Sequence, residues 1–228
     1  SISFPNRGAA EIDVYGGIRP TFGALAFDFG VFGYLYPGGR CHYGAAADTA
    51  GNPLDAECLV NVIAPSGNVM KKDVSFFEVY GKMLWSVTDQ WALGANYYYS
   101  PNFLNTDAEG HYVSGTAKWT APSTLLPMGL GMYISGEFGR QFLGTSDSIY
   151  GTGIADPVSG LGPFPFGIDY KDYNTWNAGI GFTYKVFTLD LRYSGTDLKK
   201  GDCNAFTSDH TATFTSSFTP INPGGFGS

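Results

Sequence analysis

Charge is scarce in this sequence: only 14% of its 228 residues are Asp, Glu, Lys or Arg, where ordinary soluble domains carry about a quarter. Basic residues are the scarcer sign, 13 against 20 acidic ones for a formal net charge of -7. Without a basic patch, nucleic acid is excluded as a partner. Long hydrophobic runs are missing too, and no stretch approaches the ~18 consecutive apolar residues of a spanning helix. Cysteine is limited to three residues, too few for a disulfide scaffold. Cys41 and Cys58 flank a polar, loop-like segment and form the candidate disulfide of an oxidising compartment, with Cys203 left over; reduced, separate thiols are the alternative. No signal peptide opens the sequence, which for a secreted protein means a processed or incomplete N-terminus.

Arrangements that carry out chemistry are missing as well. His42, His111 and His210 lack metal-ligand spacing. GTSDS at 144–148 has serines and an aspartate but not the nucleophile-elbow pattern. Asp48, Asn52, Asp55 and Glu57 could touch calcium, yet their spacing is not that of an EF-hand loop, and a solvated loop explains them more simply. The expectation is a protein that is not an enzyme and uses no cofactor or metal.

What the sequence does have is aromatic residues and glycine: 16% Phe, Trp and Tyr, with 32 glycines and 15 tyrosines. The hydrophobic fraction is an ordinary 43%, spread over alternate positions. In FGALAFDFGVFGYLYP, residues 22–37, Leu25, Phe27, Phe29, Val31 and Leu35 form one row, and Ala24, Ala26, Asp28, Gly30 and Tyr34 the other. Side chains alternate faces along a strand, so one face is apolar while the other is small, aromatic or charged. At roughly 3.3 Å per residue the run can cross a bilayer's hydrocarbon core at a tilt; a soluble strand usually stops after about five or six residues. This composition fits a membrane β-barrel and a glycine-rich soluble β-protein alike.

The same period returns in nearly every segment. It predicts strands near 10–19, 22–37, 73–86, 90–99, 112–119, 130–138, 175–184, 187–193 and 210–218, with a stub at 1–4, all in hairpin order. Short turns are expected at Pro20, Thr88, Pro122 and Lys185. Long connections take the other end, and about 38–72 and 143–171 are expected as external loops. A meander crossing a membrane produces that alternation. The predicted fold is one all-β domain over 1–228, an antiparallel up-and-down transmembrane β-barrel.

The polar rows carry Glu11, Asp13, Arg19, Asp28, Glu78, Lys82, Lys118, Glu137, Asp190 and Arg192. A dry core could not bury them cheaply, whereas a water-containing barrel would line its lumen with them. The alternative is that they pair with one another and fill the interior, as in small barrels. Both signs are present in similar numbers, so strong ion selectivity is not expected. Tyr36, Trp85, Trp91, Tyr99, Trp119, Tyr184 and Tyr193 gather at strand ends, as in an aromatic girdle at lipid headgroups; an aromatic sheet core is the alternative.

AEIDVYGGIRPTFGALAFDFGVFGYLYPG, followed by SFFEVYGKM and later NAGIGFTYKVFTLDLRYSGTDL, resembles the TorF-like porins of proteobacterial outer membranes. The resemblance covers most of the chain outside the two longest loops. It rests on an EIDVYGG strand, a strand ending YLYPG and an RYSGTDL strand end. It implies an outer-membrane barrel of about twelve strands, and the count over this chain becomes roughly 10–12 strands when complete. Members of that family carry further strands before the point matching SISF, and the Cys41–Cys58 insertion is unusual among them. An unclosed edge in lipid leaves backbone groups unsatisfied. The absent strands are therefore expected outside the given sequence, or from a partner chain or a homo-oligomer.

The function these readings predict is passive diffusion of small polar solutes through a porin-like channel, surrounded by lipid of the bacterial outer membrane. The alternative is a structural or interaction barrel with a filled lumen and docking loops. A soluble ligand-binding barrel like a lipocalin is a third reading, which the outward Leu, Phe and Trp row disfavours.

Overall fold

The structure, a computed structural model, describes residues 9–39, 73–146 and 169–199, together with the backbone of 213–214 and 220–221. Its strands are β1 (Ile12–Ile18), β2 (Thr21–Phe22), β3 (Leu25–Leu35), β4 (Phe76–Ser86), β5 (Trp91–Ser100), β6 (Gly110–Thr120), β7 (Gly131–Leu143), β8 (Tyr173–Tyr184) and β9 (Phe187–Thr196). They form one antiparallel sheet in the order β1, β3, β4, β5, β6, β7, β8, β9, with β2 also on β3. Each strand lies beside its neighbours in sequence, which is an up-and-down meander.

The first hairpin corrects the expected turn at Pro20. Ile18 stands opposite Phe29 and Thr21 opposite Ala26, so one register runs through Arg19 and Pro20. Proline cannot donate to a ladder, but its carbonyl still accepts the Phe27 N–H at 2.9 Å. The chain reverses instead at Gly23 and Ala24, between the partners Phe22 and Leu25. Gly23 takes φ 59°, a conformation that a two-residue hairpin needs at its first central position and that glycine adopts without steric cost.

The other short connections follow expectation more closely. At Thr88 the hydroxyl oxygen accepts the N–H of Gln90 at 3.2 Å and of Trp91 at 3.0 Å, which holds the β4–β5 turn. Lys185 and Val186 join β8 to β9 directly, Tyr184 facing Phe187. The connection at Pro122 is broader than a tight turn, running over 121–130 with Met128 and Gly129 at positive φ.

Among the described residues β1 and β9 are the two edges, and the sheet is not closed into a barrel. Of the strand expected at 210–218, the described part is β10 (Thr213–Phe214), paired with β11 (Pro220–Ile221) apart from the large sheet. That run places apolar side chains only at Ala212, Phe214 and Phe218, a weaker alternation than in β1 to β9. Cys41, Cys58, Cys203, the stub at 1–4 and most of the loops 38–72 and 143–171 lie outside the described residues.

No second layer covers the sheet among the described residues. Buried hydrophobics there come to Tyr36, Val74, Ala108 and Tyr170, all beyond the strand ends on the long-loop side. Tyr36 and Val74 pack with Tyr34 and Phe76. A sheet commonly lays its apolar face against another element; among the described residues none lies on this one.

Candidate functional site: the polar face of the sheet

Register carries the two rows of each strand across the whole sheet. Ile18 faces Phe29, Phe27 faces Met83, Trp85 faces Leu93, and Trp91 faces Trp119. The row continues from Trp119 through Ile134 and Ile180 to Leu191. This face is apolar, and it is open: Ile18 is 67% exposed, Phe138 60% and Leu189 58%. Charged and amide side chains of the described strands enter it toward the long-loop end, where Arg140 stands between Val113 and Asn174 and where Tyr97 and His111 share a 2.8 Å hydrogen bond.

The opposite face collects the charges. Asp28 lies across from Lys82, which lies across from Asn96; Glu137 lies between Thr116 and Asn177, and Ser135 between Lys118 and Gly179, itself opposite Arg192. Asp13, Glu78 and Asp190 occupy the same face, opposite Tyr34, Phe32 and Gly181. Arg19 reaches Asp28 on it, and Glu11 continues the row of Asp13 just before β1. All ten predicted charges thus share one side.

Most of them are engaged. Arg19 Nε donates to Asp28 Oδ2 at 3.0 Å, and the Tyr80 hydroxyl donates to Asp28 Oδ1 at 3.2 Å. Tyr34 donates to Glu78 at 3.2 Å. Across the sheet, Glu137 accepts from Tyr112 at 3.2 Å and Asn177 at 3.4 Å. Arg192 donates to Asn177 at 2.5 Å, Ser135 at 2.9 Å and Asp190 at 3.1 Å, while Tyr133 donates to Asp190 at 2.6 Å. Lys118 and Lys82 sit over aromatic rings instead, Lys118 Nζ 4.4 Å from the Tyr133 centroid and Lys82 Nζ 4.8 Å and 5.2 Å from those of Tyr80 and Tyr98. Such contacts contribute about 0.5–1 kcal/mol at exposed sites.

The girdle residues divide. Trp85, Trp91, Trp119 and Tyr184 lie on the apolar face near the short turns, and Tyr99 and Tyr193 on the same face nearer the other end. Tyr36 departs from the expectation: it follows β3 in the polar row and is buried against Val74, because the segments flanking β3 and β4 stay side by side beyond the strand ends, where Ser75 Oγ accepts the Tyr36 N–H at 3.0 Å. Burial pushes its phenol well above the ordinary tyrosine range, and Glu11 beside it adds to the shift.

The tyrosines that alternation assigns to the polar rows join into an aromatic band, whose one unforeseen member is Phe32. Tyr15 stacks on Phe32 at 5.7 Å, Phe32 meets Tyr34 at 4.6 Å, Tyr80 meets Tyr98 at 5.8 Å and Tyr98 meets Tyr112 at 6.1 Å. These residues sit at positions of the polar row, a placement visible in their spacing once Phe32 is counted there. Several rings lie down across glycines of the adjacent strand: a Cβ on Gly30 would stand 2.6 Å from the Tyr80 hydroxyl, and one on Gly139 or Gly181 would overlap the ring of Tyr112 or Tyr133. Between Arg19, Asp28, Lys82 and the rings of Phe32, Tyr80 and Tyr98 is a cavity of about 280 Å³. No family model, curated protein or solved structure matches the chain.

Proposed function

We propose that this chain builds the wall of a porin-like channel in a bacterial outer membrane, with the polar face toward water and the apolar face toward lipid. One observation carries the reading: register puts every strand charge of the ten on one face while a continuous apolar face stays uncovered. Exposed apolar surface of that extent marks a membrane or protein contact. From Trp91 to Tyr99 along β5 is on the order of 27 Å at strand rise. Tilted by about 40°, it spans roughly 20 Å of membrane, near the roughly 25 Å apolar band of outer-membrane barrels.

In this reading the edges at β1 and β9 are joined in the membrane, since open edges are costly in lipid. Further strands or a second chain supply the closure, in keeping with the resemblance to TorF-like porins, which implies a barrel of about twelve strands. Small polar solutes pass without reaction, and the paired charges leave only weak ion preference. The test is reconstitution of the purified full-length protein in planar bilayers. Stepwise conductance is expected, and its absence from folded, inserted protein would overturn the channel.

A second reading is favoured by the ion pairs and by the tyrosines lying flat on the polar face: a filled barrel that serves as a structural or docking element. It predicts no conductance and a partner retained through purification in detergent.

A further inference from the structure

The geometry points to the cavity beside Lys82 as a binding site for aromatic monocarboxylates, ring-bearing solutes with a single negative charge. The inference rests on the polar face being the solute side, and it names the solute class. Its walls include the rings of Phe32, Tyr80 and Tyr98, which offer flat apolar surface beside the charges of Arg19, Asp28 and Lys82. Rings of a solute gain from offset or edge contact with such walls. The space of about 280 Å³ corresponds to roughly nine waters, enough for one small ring and its substituent.

The charge of the site decides the sign of the solute. Arg19 and Lys82 bring two positive groups and Asp28 one negative group. Asp28 is already engaged at both oxygens, by Arg19 at 3.0 Å and Tyr80 at 3.2 Å. Lys82 has no carboxylate in ion-pairing distance among the described residues: its ammonium lies over the faces of Tyr80 and Tyr98, with the Tyr98 hydroxyl as hydrogen-bond partner and the Asp28 charge further off. A solute carboxylate there gives the Lys82 ammonium an ionised acceptor at hydrogen-bond distance, which the neutral tyrosines do not. Of the tyrosine hydroxyls in the lining, those of Tyr80 and Tyr34 already donate to Asp28 and Glu78. The cleft mixes ring faces with charged groups, Arg19, Asp28 and Lys82 standing among the rings of Phe32, Tyr80 and Tyr98, so a solute is held by both kinds of contact.

The test uses full-length protein in detergent, titrated with benzoate by isothermal calorimetry, in parallel with acetate (charge without ring), benzamide (ring without charge) and glucuronate (hydroxylated ring with charge). Benzoate is expected to bind in the millimolar range, about tenfold tighter than each of the others. Lys82→Met should weaken it about tenfold while Lys82→Arg keeps most of the affinity. If Lys82→Met does not fold, Tyr98→Leu takes its place, with a weakening of severalfold. Calorimetry needs no pore, so benzoate binding without bilayer conductance upholds the site and removes the channel. Conductance without benzoate binding removes the site and leaves the channel. Equal binding of acetate or glucuronate, or unchanged binding in Lys82→Met, also overturns the proposal.

Discussion

Arg19 and Asp28 face each other across the first hairpin at the point where Pro20 interrupts the ladder, Arg19 Nε standing 3.0 Å from Asp28 Oδ2. The Arg19 side chain is 73% exposed and that of Asp28 22%. An ion pair with so open a partner contributes little to stability, about 0–1 kcal/mol. What it adds is register: a one-residue slip past the proline would send Arg19 to the apolar face. Asp28 also accepts from Tyr80, so its loss leaves two donors without their acceptor. Arg19→Ala should cost about 0.5 kcal/mol and Asp28→Ala about 1–2 kcal/mol, compared by denaturant unfolding of the folded protein. Equal costs would show that the Tyr80 contact adds nothing.

Two glycines of the same hairpin offer a sharper contrast. A Cβ on Gly30 would meet the Gly16 carbonyl and the Tyr80 hydroxyl, each at 2.6 Å, whereas one on Gly16 would meet nothing within 4 Å. Gly30→Ala should therefore destabilise by about 1–3 kcal/mol through overpacking, and Gly16→Ala should stay within about 0.5 kcal/mol of the parent. Thermal unfolding of both variants checks this. A harmless Gly30→Ala would mean that the Tyr80 ring does not lie across β3.

Beyond β9, Asp197 clips the strand end. Its carboxylate accepts the Asn174 backbone N–H at 2.7 Å and side-chain amide at 2.6 Å, and these bonds hold it below the usual aspartate range. A carboxyl depressed by folding adds stability that is complete above its unfolded value of about 4 and is lost as pH falls through the lower folded value. Hydrogen exchange at the Asn174 amide should stay slow near neutrality and accelerate as pH drops below about 4, after correction for intrinsic exchange. Asp197→Ala should remove that acceleration. An Asn174 amide whose protection ignores pH in the parent would show that the clip is not formed.

The two faces were legible from spacing alone, because Leu25, Phe27, Phe29 and Val31 alternate with Ala26, Asp28 and Gly30, and antiparallel register passes that alternation from strand to strand. Phe32 was not: a large apolar residue in a polar row reads as a lapse in the pattern until its stack on Tyr15 is seen. Pro20 misled for a different reason. Proline signals a chain break through its missing N–H, while its carbonyl and fixed φ are compatible with an edge position in a strand. Tyr36 shares the strand-end position of the outward tyrosines but belongs to the opposite row, that of Asp28 and Tyr34, and packs against Val74. Barrel closure, expected from the pattern, is not seen among the described residues, where β1 and β9 remain edges; local alternation sets the faces of a sheet and not what meets its edges.

The central claim is that the apolar face meets lipid and the polar face meets water. Spin labels at Leu93→Cys and Asn96→Cys test it on one strand: in β5 Leu93 faces Trp85 in the apolar row and Asn96 faces Lys82 in the polar row. Cys41, Cys58 and Cys203 are first replaced by serine, and the protein is reconstituted in lipid vesicles. Electron paramagnetic resonance then compares collision with oxygen, which concentrates in lipid, against a water-soluble nickel chelate. The account predicts a label at residue 93 open to oxygen and shielded from nickel, and a label at residue 96 with the opposite preference. Equal nickel access at both positions would contradict it.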